Sequence, residues 1–357
     1  MINLRRPLLV CALLVAVLVL GVTAPVAAIN RAVFPAQSLG NSGIDVVALQ
    51  HLLRARGHGL AVSAVFDTPT QSAVADFQED QGLTVTGVAD SATWEQLVPQ
   101  LGDGSTGEAV AAVQKLLNRK RGTGLTVNAS FDANTRKAVT SFQAHMGLSA
   151  TGVVNTATWR NLVWHFVRPN FALPGLCNYN GGSAGADWGT GSTAGTLERA
   201  GGLFRQRVAS RIAIGDISWE HGGDIVLHAT HEVGLDADIA LVRKDRFQCS
   251  NPGIGYRSVQ YDRAATRELI HAIYDAAPHQ VKLIYFNDPV LVNEGLVRAY
   301  PNHNHHLHVR YCEVGHARTR YRCPAPSLAV AASTPAETAA DESPLPVRGS
   351  GRGVERR

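Results

Sequence analysis

The segment Gly43-Ile-Asp-Val-Val-Ala-Leu-Gln-His-Leu-Leu53 governs the fold of the N-terminal half, because it recurs as Gly107-Glu-Ala-Val-Ala-Ala-Val-Gln-Lys-Leu-Leu117. Apolar residues return every three or four positions in both copies, which is the spacing of one face of an amphipathic helix. In the first copy this face contains Val46, Leu49 and Leu53. The sequence therefore predicts a duplicated helical unit.

The duplication continues through two further segments of each copy. The matching pairs are Phe66-Asp67 with Phe131-Asp132, Phe77-Gln78 with Phe142-Gln143, Gly82-Leu83 with Gly147-Leu148, Thr86-Gly-Val88 with Thr151-Gly-Val153, and Ala92-Thr-Trp94 with Ala157-Thr-Trp159. Asp90 and Asn155 are suited to cap the N-terminus of a third helix, since their side chains can accept hydrogen bonds from free backbone N–H groups. Each unit is therefore predicted to contain three helices.

These two units resemble the peptidoglycan-binding type 1 domain of bacterial cell-wall hydrolases. The shared Gly-Leu-x-x-Thr-Gly-Val and Ala-Thr-Trp signatures occur twice at matching spacing, and the resemblance covers residues 38–100 and 101–164. It implies that peptidoglycan is the partner. We interpret Trp94 and Trp159 as core residues of a helical bundle, and we assign no glycan-contacting residue.

The first 28 residues have the pattern of a secretory signal peptide. Arg5 and Arg6 precede an apolar run, which ends in the small residues from Ala24 to Ala28. An uncleaved membrane anchor is the alternative, because the apolar run approaches the length that spans a bilayer. We expect cleavage near Ala28 and a bacterial protein that is secreted, periplasmic or cell-wall associated, with no stable membrane insertion.

The charge of the chain gives no indication of a nucleic-acid partner. The formal net charge is +4, it falls by two when Arg5 and Arg6 leave with the signal peptide, and no basic stripe stands out. One of the five cysteines lies in the leader. The remaining Cys177, Cys249, Cys312 and Cys323 suggest two disulfides in an exported protein, with three possible pairings. The pair Cys312–Cys323 would close the shortest loop.

The C-terminal half has the mixed composition of an α+β domain. A helix is predicted from Ala264 to Ala277, ending before Pro278. Residues 324–357, rich in Pro, Ala, Ser and Thr, are expected to form a disordered tail because they contain little to bury. The predicted strands are Ile212–Ile214, Ile225–Leu227, Asp236–Val242, Val281–Phe286 and Leu307–Tyr311.

Two stretches of this half indicate a metal site: His228-Ala-Thr-His231, followed by Asp238, and His303-Asn-His-His-Leu-His308. Four of the fourteen histidines fall within the six positions of the second stretch. A metal-scavenging tract would be polar throughout, whereas here strand-forming apolar residues are interleaved. Imidazoles and carboxylates that converge from two segments suit a catalytic zinc ion, which has three protein ligands and one open position.

Strand alternation divides these side chains between two faces. His306 and His308 are two positions apart and should share one face, with Leu307 on the other. His305 should then point away from the metal, and we interpret it as structural. Other histidines, namely His221, His271 and His279, have no partner at a useful spacing, and we assign them no site.

This arrangement resembles the lysostaphin/D-Ala-D-Ala type of zinc peptidases and, more narrowly, penicillin-insensitive murein endopeptidase. The matching stretches are Gly215-Asp-Ile-Ser218, His228-x-x-His231-x-x-Gly-Leu-Asp236-x-Asp238-Ile239 and His303-x-x-His306-x-His308-Val-Arg310. The resemblance covers residues 175–323. It implies an α+β domain with a central antiparallel sheet, and hydrolysis of peptide crosslinks in peptidoglycan, usually of the D-alanyl to diaminopimelate type.

The resemblance also implies a role for each residue. The zinc (Zn2+) ligands would be His231, Asp238 and His308; the catalytic residues would be His306, as the base, with His303 and His228 as accessory histidines that hydrogen-bond the tetrahedral intermediate or the bound substrate. Asp236 would either orient a ligand imidazole or be a solvated turn carboxylate.

Two other functions stay open at this stage. A D-alanyl-D-alanine carboxypeptidase could use the same zinc scaffold, and a non-catalytic wall-binding protein could hold a metal structurally. A serine hydrolase has little support because neither Ser218 nor Ser250 lies in a Gly-x-Ser-x-Gly elbow. The predicted architecture is thus multidomain: two all-α three-helix repeats followed by an α+β zinc peptidase domain.

Overall fold

The computed structural model describes residues 32–179, 183–226 and 228–324. The predicted signal peptide at residues 1–28 lies outside the described residues, as does the predicted tail from residue 325 onward. Within the described ranges, no helix is both long and apolar enough to cross a bilayer.

The N-terminal half consists of two three-helix units, as predicted. The helices are α1 (Ile44–Ala55), α2 (Thr68–Asp80), α3 (Ser91–Leu97), α4 (Glu108–Arg121), α5 (Ala133–His145) and α6 (Thr156–Trp164). The predicted caps form: Asp90 accepts a hydrogen bond from the Thr93 N–H, and Asn155 accepts one from the Thr158 N–H. One apolar core runs through both units, and Trp94 and Trp159 lie fully buried within it.

Each repeat has a buried glutamine in its first helix, and this polar side chain hydrogen-bonds the backbone of the following loop. The Gln50 amide donates to the Val65 carbonyl at 2.9 Å, and its oxygen accepts from the Ala64 N–H at 3.1 Å. Gln114 repeats this pattern in the second unit, with the Ser130 carbonyl at 3.0 Å and the Ala129 N–H at 3.1 Å. Each glutamine therefore satisfies the backbone groups of the loop that follows its helix.

The C-terminal half is an α+β domain built on a five-stranded sheet. Its elements are β1 (Leu176–Asn178), α7 (Gly191–Val208), β2 (Ile212–Ile214), β3 (Asp236–Ala240), α8 (Arg263–Ala276), β4 (Val281–Tyr285), α9 (Pro289–Asn293), β5 (His306–Tyr311), β6 (Glu313–Val314), a 3-10 turn (Thr319–Tyr321) and β7 (Arg322–Cys323). The strand order is β1-β2-β3-β5-β4. The α+β class is confirmed.

The sheet is mixed, whereas a central antiparallel sheet was expected. Strands β2, β3, β5 and β4 pair antiparallel, but β1 pairs parallel to β2. Helix α7 lies between β1 and β2 in the chain. Such a crossover helix carries the chain back to the end of the sheet where β1 began, so β2 can run parallel to β1. The strand predicted at 225–227 was wrong, since the described residues there are irregular.

Two disulfides form in this domain. Cys177 pairs with Cys249, and Cys312 pairs with Cys323. The first joins β1 to a loop 72 residues away, and the second closes an 11-residue separation next to β5. Of the three pairings left open by the sequence, the structure selects the one that contains the shortest loop.

Helix α7 packs closely on the first repeat through its glycines. A Cβ added at Gly195 would lie 2.5 Å from the Gly43 Cα and would overlap the Ser42 carbonyl oxygen. A Cβ added at Gly191 would overlap the Asp45 carboxylate. Only glycine, which has no Cβ, permits this approach of two backbones, so the contact requires glycine at both positions.

Replacing Gly195 by Ala should therefore destabilise the protein by about 1–3 kcal/mol, because neither the Ser42 nor the Gly43 backbone can move without disturbing the first repeat. The matched control is Gly202→Ala in the same helix, where a Cβ would meet no described atom within 4 Å. That control should gain about 0.5–1 kcal/mol through better helix propensity. Denaturant unfolding measures both, and equal effects of the two substitutions would contradict the close contact.

Candidate metal centre

The candidate site is built on the pairing of β3 with β5. In this antiparallel register Asp238 lies opposite His308, and Asp236 lies opposite Arg310. Because side chains alternate along a strand, these residues share one face, while the alternate residues Ala237, Ile239, Leu307 and Val309 enter the core. The predicted alternation along both strands is therefore what brings a carboxylate and an imidazole together.

His231 reaches the same face from the loop that connects β2 to β3. Its backbone is left-handed, with a φ of 75°. This conformation costs a non-glycine residue of order 1–3 kcal/mol and persists only where surrounding contacts hold it. The Asp236 carboxylate accepts from the His231 backbone N–H at 3.2 Å, and the Ile217 carbonyl lies 3.0 Å from His231 Nδ1.

The Ile217 carbonyl also fixes the tautomer of His231. A carbonyl oxygen can only accept, so Nδ1 carries the proton and Nε2 retains its lone pair. His231 Nε2 lies 3.3 Å from Asp238 Oδ1 and 3.2 Å from His308 Nδ1. His308 Nδ1 lies 3.1 Å from the same Asp238 oxygen. Three electron-pair donors therefore form a nearly equilateral triangle.

The dimensions of this triangle fit a transition-metal ion. At bond lengths of about 2.0–2.1 Å, neighbouring donors of a tetrahedral site are about 3.3 Å apart. All three side chains are buried, so bulk water does not compete strongly for the donors. Two imidazoles and one carboxylate are donors that zinc accepts. The residues present thus suit a metal ion by their chemistry and by their spacing.

Asp236 holds one of these donors in place. Its Oδ1 accepts from His308 Nε2 at 2.9 Å and from Arg310 Nε at 2.8 Å. Its Oδ2 accepts from the Tyr321 hydroxyl at 2.6 Å, and the side chain is fully buried. Asp236 is therefore not a solvated turn carboxylate. It orients the His308 ring so that Nδ1 faces Asp238.

The electrostatics of the centre favour a positive charge. Burial by itself would lower the pKa of His308, but hydrogen bonds to Asp236 and Asp238 outweigh burial and raise this pKa to about 9. Burial would raise the pKa of both carboxyl groups, yet the neighbouring His308 and His231 hold it well below the usual value. The two carboxylates therefore attract a cation to this position, whether a proton or a metal ion.

The other three predicted site residues surround the triangle. His306 Nε2 lies 3.6 Å from Asp238 Oδ1, and the His303 ring stands 4.9 Å from the His306 ring. His228 Nδ1 lies 3.8 Å from Asp238 Oδ2. Burial chiefly lowers the pKa of His306, to about 4, which keeps its imidazole neutral. The structure thus brings together all six residues selected from the sequence.

The strand alternation from which the direction of His305 was predicted does not reach this residue. Strand β5 begins at His306, so the alternation does not extend to the preceding residue. His305 is exposed, and its Nδ1 lies 2.9 Å from His306 Nδ1. It therefore contacts the histidine next to it instead of the opposite face of the sheet.

Sequence reasoning gave too little weight to two further residues. Asp216 Oδ2 lies 3.2 Å from His228 Nε2, and this hydrogen bond is the main cause of the raised pKa of His228. Tyr285 stands opposite His308 in the β4–β5 pairing, and its ring stacks on Tyr300 at 4.5 Å. Asp216 was visible in the short Gly215–Ser218 motif, whereas only the strand pairing identifies Tyr285.

Comparisons with known proteins agree with this organisation. Residues 42–97 and 106–162 match a family described as a peptidoglycan binding domain. Residues 183–274 match the family described as penicillin-insensitive murein endopeptidase, a match that includes His231 and Asp238 and ends before β5.

One curated relative is the zinc D-Ala-D-Ala carboxypeptidase of Streptomyces albus G. The two chains are 30% identical over 171 residues, which is 45% of this chain and 61% of the relative. The chain thus spans less than two thirds of that protein's length.

Three solved structures are similar to parts of the chain, each with a TM-score of 0.18. A peptidoglycan-binding protein from Clostridioides difficile, in complex with glutamine hydroxamate, is 34% identical, over 18% of this chain and 40% of its own. The SleB N-terminal domain is 38% identical, over 18% of this chain and 90% of its own. An endolysin of the Burkholderia AP3 phage is 25% identical, over 31% of this chain and 38% of its own.

The family matches coincide with the two helical repeats and with the α+β domain that contains the histidine and aspartate side chains. The chain therefore carries two peptidoglycan-binding domains followed by a domain of the penicillin-insensitive murein endopeptidase family.

Proposed function

We propose that the protein is an exported zinc-dependent murein endopeptidase that hydrolyses peptide crosslinks of the D-alanyl to diaminopimelate type. The observation that carries the proposal is the triangle of His231 Nε2, Asp238 Oδ1 and His308 Nδ1, with sides of 3.1 to 3.3 Å. Three protein donors leave one coordination position for water or substrate, which distinguishes catalytic from structural zinc sites.

His231, Asp238 and His308 would hold the zinc ion. When bound there, zinc polarises a carbonyl oxygen and lowers the pKa of water. Asp236 and the Ile217 carbonyl keep the two imidazoles in the required tautomers by accepting their outer N–H groups.

His306 is the residue that we propose as the base. Its Nε2 faces the triangle, 3.6 Å from Asp238 Oδ1. It would accept a proton from the attacking water on Nε2 and transfer it to the nitrogen of the leaving amine. His303 and His228 flank the same point, and each would form a hydrogen bond with the tetrahedral intermediate or with the bound substrate. Asp216 supports His228 in a donating role because its carboxylate raises the pKa of His228, and an imidazolium carries a proton on both nitrogens.

The helical repeats would bind the peptidoglycan polymer. Tethering the catalytic domain to peptidoglycan raises the local concentration of crosslinks without requiring tight binding at the centre. Two disulfides support a location outside the cytoplasm, in the periplasm or at the cell wall, since such bonds persist in oxidising compartments.

The role of His306 is tested by His306→Ala. We expect turnover to fall about 10²- to 10⁴-fold, because a base is lost while the three metal-binding side chains remain. Zinc content should stay unchanged. The matched control is His305→Ala, which removes the exposed neighbouring imidazole and should alter turnover by much less. If His306→Ala loses zinc together with activity, the residue is a ligand and not the base.

A defined substrate tests the proposed function as a whole. Purified crosslinked muropeptide dimers are incubated with the full-length protein, and the products are identified by mass spectrometry. An endopeptidase converts dimers to monomers, chelation should stop the reaction, and added zinc should restore it. Undiminished dimers with full zinc occupancy would exclude endopeptidase activity.

The similarity to a zinc D-Ala-D-Ala carboxypeptidase favours one second candidate. A carboxypeptidase would release terminal D-alanine from pentapeptide stems and leave the dimers intact. The same digest separates the two activities. A non-catalytic wall-binding protein would produce neither product while still binding sacculi.

A further inference from the structure

A second group of metal-binding side chains lies apart from the centre described above. It consists of His145 at the end of α5, His165 directly after α6, and Glu220 and His221 in a turn after β2. One potential ligand atom from each of the four lies within 4.8 Å of the others. We call these four residues the seam cluster, because they join the second repeat to the α+β domain.

The tautomer of His165 is fixed in the same way as that of His231. Its Nδ1 lies 2.6 Å from the Phe166 carbonyl oxygen, which can only accept. Nδ1 therefore carries the proton, and Nε2 presents a lone pair to the cluster. That Nε2 lies 3.3 Å from Glu220 Oε1, although the His165 side chain is completely buried. A lone pair and a carboxylate oxygen repel each other unless a cation or a proton stands between them.

Three histidine nitrogens of the seam cluster are buried and have no hydrogen-bond partner among the described residues. Within the part of the chain that the structure describes, His145 Nε2, His165 Nε2 and His221 Nδ1 are buried without a hydrogen-bond partner. His145 Nε2 also lies 3.3 Å from Glu220 Oε1, yet without the alignment of a hydrogen bond. Buried polar atoms are almost always satisfied, so three orphaned nitrogens in one place indicate a ligand.

One proton cannot satisfy three separate buried nitrogens at once. Arg121 Nη1 lies 2.6 Å from Glu220 Oε1 and already balances its charge. Arg121 donates to the carboxylate, and among the described residues no hydrogen bond reaches the three histidine nitrogens. A metal ion accepts lone pairs from all of them at once.

We propose that His145, His165, Glu220 and His221 bind a divalent transition-metal ion of the zinc class as a structural clamp between the second repeat and the α+β domain. Three imidazoles and one carboxylate are a donor set that zinc accepts, and four protein donors close a tetrahedral site. The donors are more widely spread than the edge of about 3.3 Å in such a site, so binding should draw the four side chains together.

The seam cluster connects the second repeat to the loop that contains His228 and His231. Two of its donors come from the wall-binding half, and two come from the loop that continues to His228 and His231. The ring of Trp164 lies parallel to His221, at 6.4 Å, and packs the turn against the repeat. An ion in the seam cluster would therefore fix the second repeat to the very loop that delivers a donor to the other centre.

Metal content of the full-length protein, measured by mass spectrometry after equilibration with buffered Zn2+, tests this inference. We expect about two equivalents for the wild type and about one for Glu220→Gln, which keeps the shape of the side chain. His145→Asn is a second variant, chosen because the side chain is 28% exposed and its loss is least harmful to folding. The control His271→Asn, in α8, should keep both ions.

The variant His308→Ala isolates the seam cluster from the other centre. It should retain about one equivalent of zinc, and the double variant His308→Ala/Glu220→Gln should retain almost none. Chelation should lower the unfolding temperature of His308→Ala but not that of the double variant. Co2+ bound to His308→Ala should give visible absorption bands that Glu220→Gln abolishes.

The outcomes separate this inference from the proposed function. If His308→Ala binds no metal and Glu220→Gln matches the wild type, the seam cluster is not a metal site, while the catalytic proposal stands. If the wild type binds one ion that Glu220→Gln loses, the seam cluster is supported and the zinc peptidase proposal fails. A His145→Asn protein that folds and keeps both ions would also overturn the clamp.

Discussion

Replacing His308 by Ala is expected to remove zinc from the catalytic centre and to reduce release of soluble fragments from purified sacculi by at least about 10³-fold. The reason is that His308 supplies one of three donors and also links Asp238 to Asp236 through its two nitrogens. Metal chemistry contributes several kcal/mol to transition-state stabilisation, and about 4 kcal/mol corresponds to this factor. The measurement is the release rate, with zinc content determined in parallel.

The variant Asp236→Asn is the control, because Asp236 orients His308 but is not one of the three metal-binding donors. Asp236→Asn keeps the triangle but weakens the acceptor for His308 Nε2, and loss of such an outer partner typically costs 10- to 100-fold. Binding of both variants to sacculi should persist, because the helical repeats are untouched. Undiminished release by His308→Ala, or equal losses in the two variants, would overturn the assignment of His308 as a ligand.

Replacing Lys120 by Met is expected to destabilise the protein by about 3–5 kcal/mol, because it leaves a buried carboxylate without its counter-ion. Lys120 Nζ, in α4, lies 2.7 Å from Asp45 Oδ1, in α1, with both side chains almost completely buried. Lys120 Nζ also donates to the Val163 carbonyl at 2.6 Å. Burial lowers the pKa of Lys120 and raises that of Asp45, so each charge depends on the other.

Denaturant unfolding of the double variant Asp45→Leu/Lys120→Met provides the control. Removing both charges should recover most of the lost stability, since apolar pairs often replace buried ion pairs without penalty. Arg136→Met, which breaks an exposed pair with Asp103, should change stability little because solvent screens that pair. A small effect of Lys120→Met by itself would show that the carboxylate is neutral or hydrated when unpaired.

Local rules explain how much of this protein could be predicted. The apolar spacing around Val46 and Leu49 predicts a helix because the helical period acts within a few residues. Asp90 and Asn155 mark helix starts because capping is a contact across three positions. The alternation of His306, Leu307 and His308 likewise predicted which histidines share a face.

Local rules failed where a distant contact overrides them. Helix α7 was not predicted. Glycine weakens a helix, yet Gly191 and Gly195 are needed there for the approach of the first repeat. Strand alternation could not be applied to His305, because β5 begins only at His306, where the pairing with β3 starts. His221 was assigned no site because its partners come from α5 and the end of α6.

By itself the sequence determined the duplicated helical units, the export signal as an expectation, and the six histidine and aspartate residues of the candidate centre. The tertiary structure decided the separations within that centre, through the register that sets Asp238 opposite His308. It also decided the disulfide pairing and the seam cluster. The physical reason is range: periodicity and capping act over one or two turns of chain, whereas donor geometry depends on packing between residues far apart in sequence.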